Sequence, residues 1–192
     1  MLVDRITGAF LFRREVYADV EKDQSFTQTA WLIVVVVAFL NQLGSNSAHV
    51  SSGIVDWIVS TVLGTILMIG AFAVGVLIVN FVGQKVFNAD VSFDELVRTL
   101  GLAYVWNIIA VIGILSALTP IFACVLGPIV IISGLAGLAA WLIAAKEALD
   151  LDWVQTIITV ILGWVVRLVA TMLVGLILGF LGITTAFLGG LF

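Results

Sequence analysis

Charge is what this chain has least of. Of its 192 residues, 10% are Asp, Glu, Lys or Arg and 62% are hydrophobic, whereas a soluble domain carries about 25% charged residues. So few polar side chains cannot cover a water-facing surface, which excludes a soluble globular fold. Disorder is excluded as well, because it requires low hydrophobicity. A single cysteine, Cys124, permits no intramolecular disulfide. A single histidine, His49, falls in a polar turn where it cannot serve an intramembrane haem. A metal site needs three or four ligands, and no such set can be assembled. The sequence has no Walker A run, no HExxH, no GxSxG and no paired Cys-x-x-Cys. Only one aspartate, Asp56, lies at a span, and aspartate-based intramembrane proteolysis needs two. Neither an enzyme nor a cofactor is expected. The formal net charge of −4 leaves no basic patch for nucleic acid.

What is there is hydrophobic length. The mean hydropathy is +1.27, and a helical span needs about 20 apolar residues. The chain is read as an all-α membrane protein with a single transmembrane domain over residues 25–192. Five spans are expected at about 27–43, 54–82, 96–118, 128–147 and 153–180, and residues 1–24 form a separate segment in front of them. Ser25 with Gln28, Ser92 with Glu95 and Asp152 with Gln155 have the spacing of capping boxes, and open spans one, three and five. Gly83 is expected to cap span two, and Pro128 to stand at the first position of span four, where its missing N–H costs nothing. The last forty residues read as one helix over 153–180 with a tail, or as two shorter helices broken near Gly175–Gly182.

Residues 1–24 place Leu2, Ile6, Ala9, Phe10, Val16 and Val20 at helical spacing. They read as one amphipathic helix, or two short ones, in the headgroup region. Leu2, Ile6 and Phe10 are the expected anchors. Four basic and five acidic side chains in this stretch do not make a cleavable signal peptide. Arg5, Arg13, Arg14 and Lys22 precede span one, Lys85 and Arg98 border the second-to-third connection, and Lys146 opens the fourth-to-fifth. The opposite connections hold no Lys or Arg. The positive-inside rule therefore predicts a cytoplasmic N-terminus and an external C-terminus.

An ionisable residue inside a span is a site candidate by default. Arg167 lies about 21 Å past Trp153 at 1.5 Å per residue, and Asp56 lies in the first turn of span two. Three readings stay open. The two form a structural pair; or Asp56 favours the helix N-terminus while Arg167 snorkels; or both belong to a transport pathway. Asn107 and Asn80 are expected to hydrogen-bond between helices. Ala136, Ala140 and Ala144, and Gly175 with Gly179, form small-residue ridges for close packing.

Three further stretches carry a resemblance. They are Phe93-Asp94-Glu95-Leu96 leading into Leu100-Gly101-Leu102-Ala103-Tyr104, then Trp141 to Asp150, then Val160-Ile161-Leu162-Gly163-Trp164. In order and spacing the chain resembles the Yip (Ypt-interacting protein) family, specifically its prokaryotic branch, over nearly its whole length. The resemblance implies a cytoplasmic N-terminal segment followed by five spans, and supplies no catalytic residues. Eukaryotic members are associated with Rab-type GTPases, but their Asp-Leu-Tyr-Gly-Pro signature is not found here. The function expected is a non-catalytic membrane scaffold or adaptor. The alternatives are a small transporter or channel-like protein using Arg167, Asp56 and Asn107, and an accessory subunit of a larger complex. Membrane lipids, a membrane-protein partner or a second copy of the chain are the expected partners.

Overall fold

The computed structural model describes residues 1–51 and 53–180, and the side chains of these except 48, 120, 166–168 and 170–180. It is helical, with no strand among the described residues. Two short helices come first, α1 (Leu2–Phe10) and α2 (Arg14–Lys22). They are followed by α3 (Phe26–Ser45), α4 (Ile54–Phe87) and α5 (Phe93–Ala103), then α6 (Pro120–Leu149) and α7 (Trp153–Phe180). One 3₁₀ turn, Ser47–Ser51, joins α3 to α4, and a 3₁₀ run, Tyr104–Ala117, continues α5. Four of these units are long and apolar enough to cross a membrane: Phe26–Ser45, Ile54–Phe87, Phe93–Ala117 and Ile121–Leu149. The fifth, α7, is a helix of 28 residues, and the expected break near Gly175–Gly182 falls partly outside the described residues. The Gly175/Gly179 ridge falls among its undescribed side chains.

Local chemistry explains the N-terminal ends of α5, α6 and α7. The Ser92–Glu95 box forms in full: the Ser92 hydroxyl accepts from Glu95 N–H at 3.2 Å, and the Glu95 carboxylate accepts from Ser92 N–H at 2.6 Å. Asp152 and Gln155 cap α7 in the same reciprocal way, at 2.9 and 3.4 Å. Ser25 does not form the expected box. Its N–H and its hydroxyl both turn back to Asp23 Oδ1, at 3.2 and 2.5 Å, so the preceding aspartate has taken the cap's donor.

Three other expectations are corrected. Pro128 does not start a helix; α6 starts eight residues earlier at Pro120, with the Thr119 side chain as its N-cap. Pro128 sits inside α6, a position that spanning helices tolerate because local adjustment re-satisfies the freed carbonyl. Gly83 does not cap α4, which runs on to Phe87 and ends at Asn88 with φ 53°. Asn is one of the few side chains that adopts this left-handed conformation readily. Gly83 is instead a packing position, where a Cβ would strike Leu149 Cδ2 at 2.7 Å. Finally, span three is not uniformly α-helical. At about 2.0 Å per residue, its 14-residue 3₁₀ run covers about 28 Å, where an α-helix would cover about 21 Å.

The core sits where α3, α5 and the start of the 3₁₀ run meet α2 and α6. Leu96, Val97, Leu100 and Leu102 from α5, Val34 from α3, and Ala140, Ala144 and Leu149 from α6 are buried. Ala140 and Ala144 thus do the packing expected of their ridge, with Ala136 half-buried. Small residues allow the closest crossings. Gly44 lies against the Ala110 carbonyl, which a Cβ there would overlap, and a Cβ on Gly113 would reach the Gly44 carbonyl at 2.9 Å.

Candidate functional site

The two N-terminal helices form a hairpin seated on one end of the bundle. Its turn uses Phe12 at φ 55°. The apolar face foreseen in the sequence is real and mostly turned inward. Ala9, Tyr17 and Val20 are fully buried, Ile6, Phe10 and Val16 pack on the core, and Leu2 remains 45% exposed. Phe10 meets Trp106 edge-on and Phe12 stacks on it, each with ring centroids 5.1 Å apart. Trp106 Nε1–H also donates to the Ala9 carbonyl at 3.3 Å. Thus two of the expected anchors, Ile6 and Phe10, contact the bundle.

Arg98 is the polar centre of this docking. It is 4% exposed and reaches from α5 to the end of α2. Its Nε–H donates to the Val20 and Glu21 carbonyls, both at 3.0 Å, and Nη2 also donates to Glu21 O. Nη1 donates to Thr27 Oγ1 at 3.2 Å, and Glu95 Oε1 lies 4.0 Å from Nη2. The last carbonyls of a helix have no partner within it, and its C-terminus favours a cation. Arg98 supplies both needs and ties three helices together. In the sequence it is legible only as a loop-side basic residue. The available signal is that it follows a capping box by three residues, amid Leu96, Val97 and Leu100.

Electrostatics around the hairpin follow from its packing. Arg5 bridges Asp19 at 2.7 Å and Asp23 at 2.8 Å, with its guanidinium 4.8 Å from the Phe26 ring centre. The Asp23 carboxyl is held below its usual range, first by the Ser25 hydroxyl and then by Arg5. Burial pushes the Glu21 carboxyl up, with Asp150 and Glu95 adding to the shift. Burial also pushes the Tyr17 phenol up; its hydroxyl has no partner among the described residues.

A second polar cluster lies at the other end of the bundle. Asn41 Nδ2 donates to the Asn107 carbonyl at 2.9 Å, tying α3 to the 3₁₀ run. Asn46 Nδ2 donates to Gln42 Oε1 at 2.8 Å, Gln42 approaches Met68 Sδ at 3.5 Å, and Trp57 Nε1–H donates to Leu43 O at 3.2 Å. Asn41, Gln42, Asn46, Thr61 and Thr65 are all buried. In the sequence, Asn41-Gln42 marks only the end of a span. The meeting of Gln42 with Gly64 and Met68 depends on the α3–α4 register.

Of the four intramembrane candidates, three have described side chains. The Asn107 amide donates to Tyr104 O at 3.1 Å. The Asn80 amide donates to Val91 O at 3.3 Å, beside Gln84 at 2.6 Å, so both asparagines tie down backbone. Asp56 is exposed in the first turn of α4. Arg167 lies within α7, and its side chain is outside the described residues. The expected pair of Asp56 with Arg167 therefore lies outside the described residues. On the same helix, Gly163 packs beside Val79 and Ile78.

Between α4, α6, α7 and the 3₁₀ run lies a cavity of about 210 Å³. Its walls include Phe72, Gly75, Asn107, Gly134, Gly137, Trp141 and Gly163. Among the described residues no group of His, Cys, Asp and Glu can hold a metal ion. Comparison with known proteins adds one match: the family model of the Yip1 domain aligns with residues 7–175. Searches of the curated proteins and of the solved structures return no match.

Proposed function

Since the chain belongs to the Yip1 domain family, we propose that this multi-pass membrane protein is a non-catalytic scaffold that presents the α1–α2 hairpin as a fixed platform at the cytoplasmic surface. The observation that carries this is Arg98, which locks the hairpin to the bundle with buried charge-assisted hydrogen bonds. A merely interfacial helix needs no such lock. The platform's outer side carries Asp4, Arg13 and Glu15, all exposed, a surface suited to a polar protein partner. Use of Asn80 and Asn107 for backbone bonds favours structural roles over a transport pathway. Five spans, with the N-terminus inside and the C-terminus outside, complete the proposed arrangement.

The test is site-specific photocrosslinking in native membranes. A crosslinker at Glu15 or Arg13 should capture a discrete protein partner, whereas one at Val165, on the exposed face of α7, should not. Solute flux through vesicles holding only this chain, abolished by Arg167→Gln and accompanied by no platform crosslink, would replace the scaffold with the transport alternative.

A further inference from the structure

We infer that the cavity between α4, α6 and α7 is a binding site for one acyl chain of a membrane lipid, which enters sideways from the bilayer core. Four glycines shape it from three helices: Gly75 on α4, Gly134 and Gly137 on α6, and Gly163 on α7. A Cβ on Gly75 would approach the Trp141 ring at 3.6 Å and one on Gly134 would meet nothing within 4 Å, while Gly137 and Gly163 let α6 and α7 pack closely on Trp106 and Val79. The cavity of about 210 Å³ is larger than apolar cavities of about 150 Å³ that stay dry and take up benzene.

The mouth identifies the occupant. Gly134 lines the cavity and is itself exposed, and a Cβ placed there meets nothing within 4 Å. Its neighbours Ile131, Ile132 and Leu135 are 67%, 66% and 64% exposed, which for these side chains on a spanning helix means exposed to lipid. The depth agrees. Gly163 lies about 15 Å past the start of α7, and Gly134 about 22 Å before the end of α6. At that depth of a hydrocarbon layer about 30 Å thick, the surrounding molecules are acyl chains. The wall chemistry suits them, because Met68, Ala71, Phe72, Leu138 and Trp141 line it. The polar side chain of Asn107 is turned to its own backbone through the bond to Tyr104 O. This inference concerns what fills the bundle and does not depend on the scaffold proposal.

The experiment uses the full chain in phosphatidylcholine vesicles whose lipid carries a diazirine at the end of one acyl chain. After irradiation, adducts are mapped by peptide mass spectrometry. Phe72 is 4% exposed and lines the cavity. Adducts are expected on Phe72 and Trp141 as well as on the outward Ile131 and Leu135. Gly134→Leu, which places a side chain in the mouth, should abolish the inner adducts and leave the outer ones. Gly134→Ala should retain both. An unlabelled Phe72 and Trp141 in the native chain overturns the site without recourse to any variant. Inner labelling that persists in Gly134→Leu overturns the entry route and the assignment with it.

Discussion

Replacing Arg98 by alanine removes the lock between α2 and the bundle while leaving the helices' own sequences otherwise unchanged. The guanidinium serves three acceptors, Val20 O, Glu21 O and Thr27 Oγ1. Hydrogen bonds to a charged group contribute about 1.5–3 kcal/mol each. Neighbouring bonds are not additive, so a conservative figure for the set is about 3 kcal/mol. At 1.4 kcal/mol per decade this is roughly a hundredfold change in the docking equilibrium. The loss is local, because α3, α5 and α6 keep their mutual core. Hydrogen exchange in reconstituted bilayers measures it directly. Amides of residues 14–24 should exchange about a hundredfold faster in Arg98→Ala, whereas those of residues 33–38 in α3 should be unchanged. Arg98→Lys should fall between, since an ammonium keeps the charge without the planar fork. If exchange in residues 14–24 is the same in Arg98→Ala as in the native chain, the hairpin is held by its apolar face alone and Arg98 has no locking role.

Other consequences are open to measurement. Gly44→Val forces a side chain against the Ala110 carbonyl and should cost about 1–3 kcal/mol, seen as a lower thermal midpoint in detergent; an unchanged midpoint would mean that the α3 crossing has room. Glu21 titrates above its usual range, so its ionised form opposes docking. Stability from this group is greatest at low pH and falls as pH rises through the raised pKa. Glu21→Gln should therefore slow exchange in α2 at neutral pH and reduce its pH dependence. Asp23 is shifted down and acts oppositely: its contribution is present above the usual carboxylate range and is lost as pH falls through the lowered pKa. Asp23→Asn should abolish that acid-side loss. A reporter active only outside the cytoplasm, fused after Phe192, should be active; a fusion active only in the cytoplasm would refute the external C-terminus.

The legible parts of this fold are those that depend on short-range chemistry. Hydrophobic length located α3, α4 and α7, and the Ser92–Glu95 and Asp152–Gln155 spacings marked where α5 and α7 start, because a capping box is closed within four residues. Helical spacing marked an apolar face of the N-terminal segment through Ile6, Ala9 and Phe10, read there as facing the headgroups, whereas in the structure Ala9 is buried and Ile6 and Phe10 pack on the core. What was hidden depends on register between distant segments. Arg98 meets Glu21 across 77 positions, and nothing near Arg98 indicates an acceptor. The α6 start was misplaced because Pro120 and Pro128 both satisfy the rule for a first-turn proline, and only the Thr119 cap distinguishes them. The 3₁₀ run has no sequence mark at all, since Tyr104–Ala117 is as suitable for an α-helix as its neighbours. The cavity is likewise invisible in the sequence, for its four glycines lie on three helices.

The length of α4 has a consequence for the bilayer around it. The apolar stretch of this 34-residue helix, residues 54–82, extends about 44 Å, against a hydrocarbon layer of about 30 Å. Even at a tilt of about 40°, the upper end of the usual range, it would still traverse about 33 Å. The excess falls on apolar surface, because Ile54, Val55, Ile58 and Val59 at its first turns are exposed. Lipid must rise to cover them, or water must meet them. Mismatch of this kind costs fractions of a kcal/mol per Å and sorts proteins among membranes of different thickness. The chain should therefore thicken the lipid beside α4 and accumulate where the bilayer is already thick, with the helix acting as a gauge of the membrane that holds it.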